Sequence, residues 1–290
     1  MLTLAELEAD TIRGMIALAQ KDELPRPLAG KGVALLFEKP STRTRHSMEM
    51  AVVALGGHPV TVRADEVGVG GRESAEDVAR TLACYHAMIA ARVKDHDVLE
   101  TFRDAVPDTP VVNMLSDLAH PLQGLADLLT VEQLFGSIEG RKIAFVGDGN
   151  NVSRSLAVGA SKLGATFVLA APEGYGFEPA TADLPGVSVT GDPTEAVAGA
   201  DVIYTDVWVS MGQDDEGETR RQAFGAFRVD ERLMAEAKPK ARFLHCLPAI
   251  RGQEVTAEVI DGPKSAVWQQ AANRLHSVRG ALAWLLGVRP

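Results

Sequence analysis

The chain has 290 residues, of which 46% are apolar and 23% charged, with a formal net charge of -10. That balance excludes a disordered chain. The acidic excess speaks against non-specific binding to nucleic acid or an anionic membrane, which needs many phosphate-neutralising Lys and Arg.

The N-terminal twenty residues read as an acidic amphipathic helix, without the basic start and continuous apolar stretch of a signal peptide. "GVALLF" (32–37) is a short apolar strand, followed by a turn and a helix from about Thr42 to Leu55 that Gly56-Gly57 stops. "HPVTVR" reads as a strand, "AEDVARTLACYHA" as a helix, "MIAARV" as a strand, "HDVLETFRDA" as a helix and "PVVNML" as a strand. A long helix spans about Pro121 to Phe135, and the alternation then restarts. "KIAFVGD" is a strand, "NVSRSLAVGASKLG" a helix and "TFVLAAP" a strand; "ADVIYTDVW" and "ARFLHCLP" are further apolar strands, and "RLHSVRGALAWLLG" is the last helix. Residues 172–194 and 212–226 read as loops, the first rich in Pro and Gly, the second polar.

Repeated β-α-β alternation predicts an α/β chain of two doubly wound parallel-sheet domains joined by the long helix, with the C-terminal helix packing back on the first domain. The expected division is 1–123 plus 272–290 against 124–271. No apolar run reaches the length of a membrane span. Cys84 and Cys246 are far apart and form no CxxC pair, which points to a reducing, cytoplasmic compartment. His86, His96 and His120 lack zinc-ligand spacing and no Cys pair joins them, so no metal site is expected from them.

Ligands of open α/β sheets bind beyond the carboxyl ends of strands. "FEKPSTRTR" puts Ser41, Thr42, Arg43, Thr44 and Arg45 at the first such end, where a helix begins. Unpaired N–H groups, hydroxyls and guanidinium forks together make an anion cradle. The plainer alternative is an N-cap followed by solvated arginines. The spacing is not that of a nucleotide P-loop. In the second half, Gly147-x-Gly149 follows a strand and opens a helix, but Val152 stands where a dinucleotide fold has its third glycine.

"STRTR" resembles the carbamoyl-phosphate signature of the aspartate and ornithine carbamoyltransferases. Further motifs follow in that family's order: Arg92 in "IAARVKDH", His120 and Gln123 in "HPLQ", Asp206 with Ser210, Met211 and Gly212 in "DVWVSMG", Cys246 and Leu247 in "HCLPA", and Arg274 in "ANRLH". The resemblance implies that Ser41, Thr42, Arg43, Thr44, Arg92, His120, Gln123, Cys246, Leu247 and Arg274 bind carbamoyl phosphate. It implies that Asn151, Asp206, Ser210 and Met211 bind ornithine, with Cys246, Asp206, His120 and Arg92 as the catalytic groups. The Ser-Met-Gly segment resembles that of the ornithine branch; the aspartate branch carries an arginine-bearing segment there.

The implied reaction is one displacement, without cofactor, in which the neutral side-chain amine attacks the carbamoyl carbon and phosphate leaves. The segment 206–226 is expected to order over the amine. The resemblance also implies a homotrimer, with 68–74 reaching across a subunit boundary. Gly68 stands where relatives carry Gln, Ile250 where they often carry His, and 172–194 is short for the family. His245 and Cys246, adjacent on a strand, should point to opposite faces. The rival readings are a sister transferase for another amine, a nicotinamide-dependent oxidoreductase, and a non-catalytic paralogue.

Overall fold

The computed structural model describes residues 1–63, 72–209 and 214–290. The chain divides into two compact units, Met1–Leu129 with Asn273–Pro290, and Thr130–Ala272. Each is built on one parallel sheet.

In the first unit the sheet order is β2-β1-β3-β4, with β1 Gly32–Phe37, β2 His58–Arg63, β3 His86–Arg92 and β4 Val111–Leu115. The helices α1 (Ala9–Ala19), α2 (Thr42–Ala54), α3 (Ala75–Tyr85) and α4 (His96–Ala105) accompany these strands. Val33 through Leu36 and Met88 through Ala91 are fully buried, as central parallel strands covered on both faces must be. Leu99 and Phe102 of α4 pack with Ile89 and Ala91 in this core. The C-terminal helix, Val267–Leu285, ends in this unit and crosses α1 closely. At Gly280 an added Cβ would stand 2.4 Å from the Met15 carbonyl oxygen.

The second sheet runs β7-β6-β5-β8-β9, with β5 Lys142–Val146, β6 Thr166–Ala170, β7 Val187–Thr190, β8 Val202–Thr205 and β9 Arg242–His245. All its pairings are parallel. Phe145 stacks on Phe167 and on Tyr204, 6.3 and 5.0 Å between ring centroids, so three neighbouring strands share one aromatic layer. The long helix α5 (Pro121–Phe135) and the C-terminal helix both contain a boundary between the units.

The two-sheet architecture is as expected, but some elements escape the sequence pattern. The segment read as a Pro/Gly loop contains edge strand β7 and the short helices Pro179–Ala182 and Pro193–Val197. The polar loop contains the helix Gly217–Phe224. Among the described residues, no helix is long and apolar enough to cross a membrane.

The strand orders fix where ligands can go. In each sheet the order reverses beside the first strand, between β1 and β3 and between β5 and β8. Those are topological switch points, where the strand ends diverge and leave a crevice.

Candidate active site

At the first switch point β1 ends at Phe37, in register with Arg92 at the end of β3. Ser41 caps α2: its hydroxyl oxygen accepts from the Thr44 N–H at 3.4 Å, and its O–H donates to Thr44 Oγ1 at 3.1 Å. Arg92, 6% exposed, donates to the same Thr44 oxygen at 3.2 Å. Arg274 donates to Gln123 Oε1 and approaches His120 Nε2 at 3.5 Å. Gln123 in turn donates from Nε2 to Asp127 Oδ1 at 2.7 Å, which fixes the direction of its amide.

This is a site that concentrates like charge. Burial and the neighbouring Arg274 and Arg43 guanidiniums lower the pKa of Arg92 to about 10. Burial, Arg274 and Arg92 hold His120 well below the ordinary histidine range, so it is neutral at pH 7. A guanidinium only donates, so the geometry assigns Nε2 of His120 as the acceptor and puts the ring proton on Nδ1. Arg92 Nε is buried with no hydrogen-bond partner among the described residues.

The structure brings Ser41, Thr44 and Arg92 into one hydrogen-bonded chain and His120, Gln123 and Arg274 into another; Arg43 adds its charge beside Arg92. Thr42 is exposed at the helix start. Arg45 departs from the cradle reading, because it turns along α2 to Glu49 at 2.8 Å and is 54% exposed. A carboxylate four residues on captures it, as helix geometry favours.

At the second switch point the turn after β5 holds Asn150, which caps α6 (Asn151–Lys162). Its Oδ1 accepts from the Val152 and Ser153 amides, both at 3.0 Å, and its Nδ2 donates to Asp206 Oδ2 at 3.1 Å. Asp206, just beyond β8 and 7% exposed, also accepts from the Val207 N–H at 2.8 Å and from Cys246 Sγ at 3.1 Å. Asn151 begins α6 beside this group and is half-buried. Ser210, Met211 and Gly212 lie outside the described residues, as does Gly68.

β9 stops at His245, so strand alternation does not extend to Cys246, and the expected opposite facing does not hold. A ring nitrogen of His245, Cys246 Sγ and an Asp206 oxygen lie within 4.8 Å of one another. The donors do not form a metal site, because both histidine nitrogens are engaged. Nδ1 accepts from the Leu247 N–H at 2.9 Å, and Nε2 faces the buried Glu254 at 3.1 Å. Leu247 adopts φ 59°, an uncommon value for a branched residue that this bond helps to hold. Ile250 is 44% exposed, with its amide N–H donated to Glu254.

The Gly147–Asn150 turn is not built for a dinucleotide. Gly149 N–H already donates to the Tyr175 carbonyl at 2.8 Å, and a Cβ there would stand 2.5 Å from the Gly176 carbonyl oxygen. Carbonyl oxygens occupy the place where a pyrophosphate would need donors.

Residues 1–133 match the carbamoyl-phosphate-binding domain of the aspartate/ornithine carbamoyltransferases, and residues 139–285 match the Asp/Orn-binding domain. The chain belongs to the aspartate/ornithine carbamoyltransferase family. Within it, the chain is 47% identical over 283 residues to the ornithine carbamoyltransferase of Pyrococcus abyssi, covering 94% of this chain and 89% of that protein. It is 50% identical over 269 residues to that of Hyperthermus butylicus, covering 89% and 85%. The solved ornithine carbamoyltransferase of Pyrococcus furiosus superposes with a TM-score of 0.95 at 42% identity, covering 100% of this chain and 97% of that one. That of Thermus thermophilus gives 0.91 at 42% identity, covering 99% and 98%.

The sequence gives no role to Asp148 or Arg220, whereas it offers the Asn150-Asn151 amides to an α-amino and α-carboxylate pair; in the structure the Asn150 amide instead caps α6 and donates to Asp206. Asn150 carried a readable signal, an Asn between a strand and a helical period. Arg220 carried none, since it stands in a run of charge that reads as solvated.

Proposed function

We propose that the chain transfers the carbamoyl group of carbamoyl phosphate to the side-chain amine of L-ornithine, giving L-citrulline and phosphate. One observation carries the reading: Arg92, at the N-terminus of α2 through Thr44, has Arg43 and Arg274 as charged neighbours, and Arg92 and Arg274 flank a neutral, buried His120. Such a site matches a phosphoryl dianion, because it offers forks, dipole and hydroxyls together.

Ser41, Thr42 and Arg43 would hold the phosphate, with Arg274 steadying its growing charge. Thr44, Arg92 and the Nδ1–H of His120 would meet the oxyanion as it forms. Gln123, oriented by Asp127, would accept from the carbamoyl NH2 with its Oε1, together with Leu247. A neutral His120 suits this role, since it can lend a hydrogen bond without adding a fourth cation. Asp206 would bind the substrate's ammonium groups and, with Cys246, orient the side-chain amine, which must give up a proton before it attacks. Free ornithine holds that proton with a pKa of about 10.4. Asn151 would grip the α-amino acid end; Ser210 and Met211 join it on the resemblance alone. Orientation of two small substrates can account for roughly 7–11 kcal/mol of barrier lowering.

The cytoplasm suits this metabolite chemistry and the two free thiols. A homotrimer is proposed on the same resemblance, supported by Met50 and Val53 of α2, 52% and 47% exposed. The decisive assay offers ornithine, putrescine, N-acylated ornithine and aspartate in parallel with carbamoyl phosphate. Citrulline with stoichiometric phosphate, and little product from the others, is the expected result. Preference for another amine would overturn the substrate assignment.

A further inference from the structure

Arg220 lies in a polar helix and is nevertheless 4% exposed. Its Nε donates to the Trp208 carbonyl at 2.7 Å, one terminal nitrogen ion-pairs with Asp148, and the other reaches Glu216 at 3.4 Å. Its guanidinium stands over the Tyr175 and Phe224 rings, 4.9 and 5.6 Å from their centroids. Segments following β5, β6 and β8 therefore converge on one side chain. Trp208 is two residues from Asp206 and Asp148 two residues from Asn150, the pair joined by the 3.1 Å amide-to-carboxylate bond. Burying a guanidinium this deeply is costly unless it is paired and stacked.

We propose that Arg220 is a positioning residue for the amine half-site, cancelling the charge of Asp148 so that Asp206 alone presents net negative charge to the substrate. The inference rests on the carbamoyl-transfer reading. Charge count matters because the amine must be neutral to attack: each further negative charge nearby favours its protonated form. Burial pushes the Asp148 carboxyl up and Asp206 adds to that, while Arg220 and Arg154 oppose it. The other groups facing the pair are Glu216 before the helix, which is 64% exposed, and Cys246 and His245 beyond and at the end of β9. Glu216 is solvated, and Cys246 and His245 are held by Asp206, Leu247 and Glu254. Arg220 is thus the buried cation that sets the local balance.

The test uses the full chain and four variants: Arg220→Gln, Arg220→Lys, Asp148→Asn, and the double change Asp148→Asn/Arg220→Gln. Citrulline formation is followed at saturating carbamoyl phosphate and ornithine from pH about 6 to 10, where the acid limb of kcat reports ionisation in the complex. With Arg220→Gln, wherever Asp148 is ionised, the extra negative charge should move that limb up by about one pH unit, a fall of about tenfold in rate below it. Asp148→Asn should move it down by a similar amount, and the double variant should return it to the wild-type position. Arg220→Lys, which keeps charge but loses the planar fork and ring stack, should leave the limb in place while ornithine KM rises. KM for carbamoyl phosphate should stay within about twofold throughout. A limb that does not move in Asp148→Asn, or that stays displaced in the double variant, overturns the proposal and leaves Arg220 a structural residue. Asp148→Asn carries the test if Arg220→Gln fails to fold. Failure of the wild-type chain to make citrulline would instead overturn the reading beneath it.

Discussion

At the residue scale, the proposed phosphate half-site would depend on shape as much as on charge. Arg92→Lys keeps a cation but loses the planar fork, one arm of which donates to Thr44 and another of which would meet a phosphate oxygen. Steady-state kinetics should show kcat/KM for carbamoyl phosphate down by the equivalent of about 1.5–3 kcal/mol, with ornithine KM little changed. His120 makes a separate prediction about pH. Its folded-state pKa lies below the unfolded value of about 6.5, so on acidification the unfolded chain takes up a proton that the folded chain refuses. Stability conferred by the neutral ring is whole above pH about 6.5 and is lost as pH falls toward the depressed value. His276, lowered by burial and by Arg279, contributes in the same direction. Thermal melts should therefore fall below pH about 6.5, and the slope should shrink in His120→Asn. An unchanged slope would mean that His120 carries its proton in the folded state.

At the scale of elements, two contacts do double duty. Asn150 both caps α6 and donates to Asp206. Asn150→Ala should lose about 0.5–2 kcal/mol of stability, read by urea unfolding, and should raise ornithine KM as well. A stability loss without the kinetic effect would show that Asp206 keeps its orientation unaided. Gly280 lets α1 and the C-terminal helix approach until no Cβ fits, so Gly280→Ala should cost about 1–3 kcal/mol through overpacking. The buried strands and long helices could be read from sequence because their apolar runs and periods are strong: β1, β3, β5 and α5 lie where the pattern puts them. β7 and the helix Gly217–Phe224 could not. The first is a half-exposed edge with no apolar run, and the second owes its place to tertiary anchors such as Arg220 and Phe224 rather than to propensity. The same reason separates the site residues. Ser41, Arg92, His120, Asp206 and Cys246 stand at strand or helix ends that sequence can locate, whereas Asp148 and Arg220 gain meaning only when three loops meet.

At the scale of the whole chain, unit 1 gathers its strongest positive charge from three distant stretches: the start of α2, the end of β3 and the C-terminal helix. A fold that must hold like charges together is under a standing penalty, and any dianion that neutralises them is linked to folding. Carbamoyl phosphate at about one hundred times its Kd should add roughly 2.7 kcal/mol to the unfolding free energy. Trp284, packed against Gly14 in the same unit, offers an intrinsic fluorescent reporter for that transition, once Trp208 and Trp268 are replaced by Phe. Ornithine alone should leave that reporter unmoved. Nutrient supply would then govern how long each molecule survives in the cell, and not merely how fast it turns over: starved of the phosphorylated donor, the enzyme becomes the easier prey for proteolysis.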